Sequence, residues 1–187
     1  YINIRGLFHQ RCGIALEEPN TEFTRGVCHS IVEITETEPP ISGDGLITTR
    51  GDEMSIAGGY HDAADYDRRD SHSLIPAWML AIYEAYPDQF TDNQYNMPES
   101  GNGIPDWLDE CLWGLKVWEY LQESDGAIRG GTETSAYPPY GGTSDTDILI
   151  YKTYKRYGLT TARGAGLFAY ASRMVKPFDN VRATELL

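Results

Sequence analysis

Apolar positions recur at helical spacing in the second half of the chain. From Ser71 onward, apolar residues three and four apart predict a helix that Pro87 ends. A second helix is predicted to open at Ile104-Pro105-Asp106, because Pro suits the first helical position and Asp complements the helix dipole. Further helical patterns cover residues 144–157 and 160–175, and we expect these two to form an antiparallel pair.

The rest of the chain shows weaker periodicity. Residues 1–60 are rich in Gly, Pro, Thr and Glu with short β-branched runs such as 31–34, so we expect loops and short strands there and no helix. Asp179 is typical of an N-cap, for a helix that we expect still to be running at Leu187. No linker composition divides 1–187, and helices joined by long loops predict an all-α helical barrel of which only part is present.

Composition narrows the range of partners. The 187 residues hold 15 Lys plus Arg against 28 Asp plus Glu, a net charge of −13 that repels nucleic acid and anionic membrane surfaces. The 13 Tyr and 4 Trp suit stacking on sugar rings, although a solvated acidic surface explains the charge equally simply. No apolar run reaches the roughly 18 residues that span a bilayer. The first residues do not resemble a signal peptide, so we expect any export signal upstream.

One short segment carries paired acids. Asp62 and Asp65 follow the pair Gly58-Gly59, so both carboxylates can face one cavity from a single turn of chain. In inverting glycosidases one carboxylate activates water while a separate acid, roughly 6.5–9.5 Å away, protonates the leaving oxygen. Two acids three residues apart would both lie on the side of the glycosidic bond from which water attacks. Acids at this spacing also serve as helix caps or solvated groups.

Three segments in order carry a resemblance to a known family. Residues 58–66, Gly-Gly-Tyr-His-Asp-Ala-Ala-Asp-Tyr, resemble the Gly-Gly-Trp-(His/Tyr)-Asp-Ala-Gly-Asp signature of glycoside hydrolase family 9. Residues 98–110, Pro-Glu-Ser-Gly-Asn-Gly-Ile-Pro-Asp-Trp-Leu-Asp-Glu, look like a second block of that family, and residues 169–179 are similar to a helix and turn that follow in it. The likeness covers nearly the whole chain.

The resemblance implies a fold and a reaction. It implies an (α/α)6 barrel, with 1–70 as the metal and catalytic-base loop region and 71–187 as the opening barrel helices. It makes Asp65 the general base and Asp62 a residue that positions the attacking water. The expected activity is secreted, inverting hydrolysis of β-1,4 bonds in cellulose or a related β-glucan. The proton-donating Glu of the family belongs to a C-terminal remainder, so these residues alone are expected to be inactive.

Two departures from the signature leave the substrate open. Tyr60 replaces the usual Trp and Ala64 the usual Gly, and an amino-sugar polymer such as chitosan is an alternative substrate. Tyr60, Tyr66 and the 137–140 loop are candidate walls of a sugar cleft, with ordinary packing as the alternative for each. A different class of function is a non-catalytic carbohydrate-binding or structural module on this scaffold, and a non-hydrolytic zinc protein is a weaker one.

A zinc site is predicted among the cysteines and histidines. Cys12, Cys28, His29 and His61 form a Cys2His2 set that suits tetrahedral zinc, although their spacing is not that of a zinc finger. The resemblance implies the same four positions for a structural zinc in some family members. The alternative is a Cys12–Cys28 disulfide with incidental histidines. Cys111 lies on the apolar stripe of the second helix, where a buried core residue is expected.

A calcium site is a further expectation. Glu99, Asn102, the carbonyl of Ile104 and Asp106 offer hard oxygens on a Gly-broken loop, although such residues also make ordinary turns and helix starts. His9 and His72 match no pattern, and we assign them structural or surface roles only. Further domains on the same polypeptide are expected.

Overall fold

The computed structural model describes residues 2–38, 49–63 and 65–187. Its strands form one five-stranded sheet in the order β2-β1-β5-β4-β3, in which β1 and β5 run parallel and the other neighbours antiparallel. The strands are β1 Ile31–Thr37, β2 Thr49–Ser55, β3 Arg68–Arg69, β4 Gly131–Glu133 and β5 Lys152–Tyr154.

Within the described residues, five α-helices accompany the sheet: α1 Ile2–His9, α2 Leu74–Ala85, α3 Asp106–Tyr120, α4 Gly158–Val175 and α5 Asn180–Glu185. The helices expected after Ser71, at Asp106 and up to residue 175 are confirmed. The N-cap at Asp179 is also confirmed, since its carboxylate accepts hydrogen bonds from the backbone N–H groups of Val181 and Arg182. The α5 helix ends at Glu185 and is therefore shorter than expected.

The all-α prediction is wrong, because the five-stranded sheet joins segments far apart in sequence. The helix predicted over 144–157 is instead a 3-10 turn at Ser144–Thr146 followed by β5. The expectation of no helix in 1–60 fails at α1, whose Ile4 and Phe8 bury the same face one turn apart. The strand expected near 31–34 is confirmed by β1.

The core lies where α2, α3 and α4 pack together. Leu80, Leu108, Leu115 and Trp118 are almost completely buried, and Cys111 joins them as expected. No helix within the described parts of the chain has the length and apolar character to cross a bilayer.

A buried ion pair fixes the N-terminal segment to α3. The guanidinium of Arg11 contacts the carboxylate of Glu110 at 3.2 Å, and both side chains are excluded from solvent. A second nitrogen of Arg11 lies 2.8 Å from Glu99. Arg11 also forms a β-bridge with Tyr60, so the same residue braces the loop that carries the paired acids.

Candidate active site and metal centre

The loop with the paired acids lies tightly against α3, and two glycines permit this. Gly58 and Gly59 have φ angles of +95° and +71°, which side chains rarely adopt. A Cβ at Gly58 would stand 2.6 Å from the backbone nitrogen of Val117. The N–H of Gly59 donates to the carbonyl of Trp113 at 3.0 Å. The glycine pair therefore sets the loop directly on the helix and fixes where the next residues emerge.

Asp62 and Asp65 stand on a compact turn. The carbonyl of Asp62 accepts from the N–H of Tyr66 at 3.1 Å, and the N–H of Asp62 donates to the carbonyl of Asp67 at 3.1 Å. The Asp62 side chain is 40% exposed and that of Asp65 16%. Oδ1 of Asp65 is buried and accepts no hydrogen bond from the described residues. Among the described residues, the helical elements that follow begin after Arg69 and Ser73, so neither carboxylate caps them.

Asp65 opens onto a cavity of about 120 Å³. The cavity is also lined by Asp67, Arg69, Glu133 and the segment that follows β4, up to Tyr137. Burial raises the pKa of Asp67 to about 6, although its hydrogen bond from Arg69 opposes that shift. The cavity thus presents several carboxylates around one arginine.

His72 is a neighbour of Asp62 that the sequence did not reveal. Its Nε2 lies 3.7 Å from Oδ2 of Asp62, and its Nδ1 is buried with no hydrogen-bond partner in the described residues. Burial lowers the pKa of His72, which favours the neutral ring. His72 follows Asp62 by ten positions on a 3-10 turn, so no short motif could have linked the two.

The four predicted zinc ligands converge. One potential ligand atom from each of Cys12, Cys28, His29 and His61 lies within 4.8 Å of the others. Sγ of Cys12 lies 3.6 Å from Nδ1 of His29, and Sγ of Cys28 lies 3.3 Å from Nε2 of His61. Both cysteines are free thiols, so the disulfide alternative is not realised.

A second layer of residues orients His29. Its Nε2 lies 3.2 Å from Oδ2 of Asp147, which leaves Nδ1 directed at the cluster. The Tyr151 hydroxyl lies 3.0 Å from the same Asp147 oxygen and 2.6 Å from the backbone oxygen of Asp65. Carboxylates behind ligand histidines fix ring orientation and tautomer in metal sites. Asp147 and Tyr151 therefore connect the Cys2His2 cluster to the turn that carries Asp65.

Protonation within the cluster suits a cation. The pKa of Cys28 is lowered, first by the hydrogen bond from the Cys12 thiol and then by His29 and His61. Burial raises the pKa of Cys12. Burial lowers the pKa of His61 and keeps that ring neutral. A thiolate with neutral imidazoles is the form in which these side chains bind metals.

The tyrosines expected in a sugar cleft divide into two groups. Tyr60 is only 2% exposed and donates to the backbone oxygen of Glu110, so it packs in the core and offers no wall to a ligand. The ring of Tyr66 stacks on His29 with centroids 5.2 Å apart. By contrast, Tyr137 and Tyr140 are strongly exposed, and Tyr137 lines the Asp65 cavity. Ala64 lies outside the described residues.

The oxygens expected to bind calcium are engaged elsewhere. Asp106 is fully buried and accepts from the backbone N–H groups of Asn93 and Tyr95 and from the Ser100 hydroxyl. Glu99 pairs with Arg11, as described above. The side-chain oxygen of Asn102 accepts from the N–H of Ile104. These contacts account for the order of the turn, and the calcium site at Glu99, Asn102, the Ile104 carbonyl and Asp106 stays a prediction.

Comparisons with known proteins agree on one family of relatives. No family model matches the chain. It is 25% identical over 181 residues to "Endoglucanase D" of Acetivibrio thermocellus, covering 93% of this chain and 27% of that protein. A metagenome-derived glycoside hydrolase family 9 endoglucanase superposes with a TM-score of 0.86 at 32% identity, covering 100% of this chain and 33% of the other.

A second solved structure bears on the metal. A Zn-binding triple mutant of the family 9 endoglucanase J30 superposes with a TM-score of 0.82 at 26% identity, covering 98% of this chain and 34% of that one. The chain therefore spans about a quarter to a third of the length of these three relatives.

Proposed function

Because the chain belongs to glycoside hydrolase family 9, we propose that it supplies the water-activating side of an inverting hydrolase of β-1,4-linked glycans. The observation that carries the proposal is the state of Asp65. Its carboxylate borders a cavity, and Oδ1 accepts no hydrogen bond from the described residues. A buried carboxylate oxygen without a protein donor is suited to accept one from water or a sugar hydroxyl.

In this mechanism Asp65 is the general base. Water donates one proton to the Asp65 carboxylate as its oxygen attacks the anomeric carbon. Asp62, on the same turn, accepts a hydrogen bond from the second O–H of the water, which stays on the attacking oxygen, and so fixes the direction of attack. The bond to the leaving oxygen breaks on the opposite face, where a carboxylic acid protonates that oxygen. We propose that this acid belongs to a part of the catalytic domain outside the chain.

Zinc is proposed as a structural ion at Cys12, Cys28, His29 and His61. In tetrahedral zinc sites neighbouring sulfur and nitrogen ligands stand roughly 3.3–3.8 Å apart, and the two measured S···N distances of 3.6 and 3.3 Å agree with that geometry. Four protein ligands leave no open position for substrate. Bound zinc would hold His61 and therefore the backbone of its neighbour Asp62.

The proposed substrate class is a neutral β-glucan, as the name of the endoglucanase relative suggests for this chain. One observation favours an amino-sugar polymer as a second candidate. Asp62, Asp65, Asp67 and Glu133 all lie within ion-pair distance of Arg69, a concentration of carboxylates that suits a protonated amine. We also propose that the whole protein is secreted and carries further domains.

The test uses the full-length polypeptide that carries this chain. It is assayed on cellulose, mixed-linkage glucan, xyloglucan and chitosan, and the first-formed reducing ends are followed by proton NMR. We expect hydrolysis of at least one polymer with the α-anomer appearing first. First appearance of the β-anomer would refute inversion. Binding to a polymer with no cleavage of any of them would favour the non-catalytic carbohydrate-binding module.

A further inference from the structure

Arg69 stands between the two proposed catalytic acids. Its Nε lies 3.7 Å from Oδ2 of Asp62, and its Nη2 lies 3.8 Å from Oδ2 of Asp65. Both distances are in the range of an ion pair but too long for a hydrogen bond. Nε is also buried without a hydrogen-bond partner in the described residues. The guanidinium therefore attracts both carboxylates without occupying their oxygens.

Two other acids hold the guanidinium in place. Nη2 of Arg69 donates to Oδ2 of Asp67 at 2.8 Å and to Oε1 of Glu133 at 3.0 Å. Both acids are nearly buried, and the Tyr154 hydroxyl donates to the other oxygen of Glu133. Arg69 is therefore anchored on one side by short charge-assisted hydrogen bonds and free on the side of Asp62 and Asp65.

The backbone explains how this anchor forms. Arg69 in β3 pairs with Gly131 in β4, two residues before Glu133. Gly131 has a φ of +129°, and a Cβ there would stand 2.2 Å from the carbonyl oxygen of Arg68. The close approach of the two strands thus requires glycine at position 131. It brings the Glu133 carboxylate within reach of the Arg69 guanidinium.

We propose that Arg69 is a positioning residue for the hydrolytic reaction, which orients Asp62 and Asp65 toward one water molecule. This inference rests on the proposed function. A carboxylate on a turn has freedom about its side-chain torsions, and a fixed cation near both restricts them to the orientations that face it. Because no direct hydrogen bond forms, the oxygens of Asp62 and Asp65 keep their capacity to bind water.

A purely structural ion pair is the competing explanation. Arg69 is 39% exposed, but its partners Asp67 and Glu133 are nearly buried, so removal of the guanidinium is expected to destabilise the fold under either explanation. If the pair only held β3 to β4, loss of the charge would alter unfolding and leave turnover unchanged. The positioning role predicts a large loss of kcat in addition to any loss of stability, measured in protein that is still folded at the assay temperature.

The experiment compares Arg69→Met and Arg69→Lys in the full-length polypeptide, with Asp65→Asn measured in parallel. The matched control is Arg163→Met, because Arg163 pairs with Asp70 next to Arg69 and forms no ion pair with Asp62 or Asp65 in the described residues. We expect Arg69→Met to lower kcat about 100-fold with KM changed less than about threefold. Arg69→Lys should recover about tenfold of that loss. Lysine restores the positive charge but lacks the planar guanidinium that donates several hydrogen bonds at once.

The outcomes separate the two proposals. If Asp65→Asn is inactive while Arg69→Met keeps kcat within about threefold of wild type, positioning by Arg69 is refuted and the proposed function stands. If Asp65→Asn remains fully active, the proposed function itself fails, and the inference about Arg69 fails with it. If Arg163→Met lowers kcat as much as Arg69→Met does, the specific role of Arg69 is also contradicted. Loss of any arginine on this surface would then have the same effect.

Discussion

The Tyr151 hydroxyl lies 2.6 Å from the backbone oxygen of Asp65. Tyr151 is the residue immediately before β5. The same hydroxyl lies 3.0 Å from the Asp147 carboxylate, which in turn contacts His29. One tyrosine therefore joins the proposed base to the proposed zinc site. In the proposed mechanism, changes at the metal reach the reaction through this contact and through His61, the neighbour of Asp62.

Replacing Tyr151 by Phe removes that contact and leaves the ring. We expect kcat of the full-length polypeptide to fall about tenfold because the turn loses a fixed point. Stability should fall by about 1–2 kcal/mol, since a buried acceptor loses its donor. Tyr170→Phe is the control, because its hydroxyl contacts Glu84 at the surface. Equal kcat for Tyr151→Phe and wild type would show that the contact does not matter for turnover.

Replacing Cys12 by Ser should abolish stoichiometric zinc binding, because the set loses one of two sulfur ligands. With free zinc at about a thousand times its Kd, bound metal adds about 4 kcal/mol, so Tm of the wild-type chain should exceed that of the variant by roughly 10 °C. Native mass spectrometry gives the stoichiometry and calorimetry gives Tm. Cys111→Ser, in the core outside the cluster, should keep one zinc. One zinc retained by Cys12→Ser would rule the site out.

Replacing Arg11 by Met should be strongly destabilising. It leaves the buried carboxylate of Glu110 without its cation, and breaking such a pair costs about 3–5 kcal/mol. Urea denaturation of the 187-residue chain measures the loss. Arg156→Met removes an exposed pair with Asp125 and should cost less than about 1 kcal/mol. Similar losses of unfolding free energy in the two variants would mean that burial does not make the Arg11–Glu110 pair more important for stability than an exposed pair.

Asp109 should make stability fall as pH rises. Burial raises its folded-state pKa to about 7 from an unfolded value of 3.8, so between about pH 4 and 7 the unfolded chain loses a proton that the folded chain keeps. The free energy of unfolding must then decrease across that window and level off above it. Asp109→Asn should lack this decrease, measured by urea denaturation at pH 5 and pH 8. Parallel pH dependence in variant and wild type would contradict the assignment.

Local signals predicted the helices better than the sheet. Periodicity and the Asp179 carboxylate determine α2 to α5 within a few residues of chain. No local sequence pattern marks residues 152–154 as a strand. They become a strand only by pairing with β1, about 118 positions earlier, as between Thr35 and Thr153. Helical spacing in that segment was therefore misleading.

The residues of the candidate site also differ in how far the sequence predicts them. The paired acids and the four metal ligands were named from the sequence because they match a family signature, and the structure brings the Cys2His2 set together. The residues that support them, such as Arg69, His72, Asp147 and Tyr151, act through contacts that no motif records. A motif position does not say which way a ring points, and the ring of Tyr60 points into the core.

The central claim is that Asp65 activates the attacking water. The most direct measurement is kcat of the full-length polypeptide with Asp65→Asn, which keeps the size of the side chain and its backbone contact with Tyr151 but cannot accept the proton. The role of Asp65 as general base predicts a loss of about 100- to 10,000-fold, with kcat of Asp88→Asn, on the exposed surface, unchanged. An Asp65→Asn variant that turns over at the wild-type rate would contradict it.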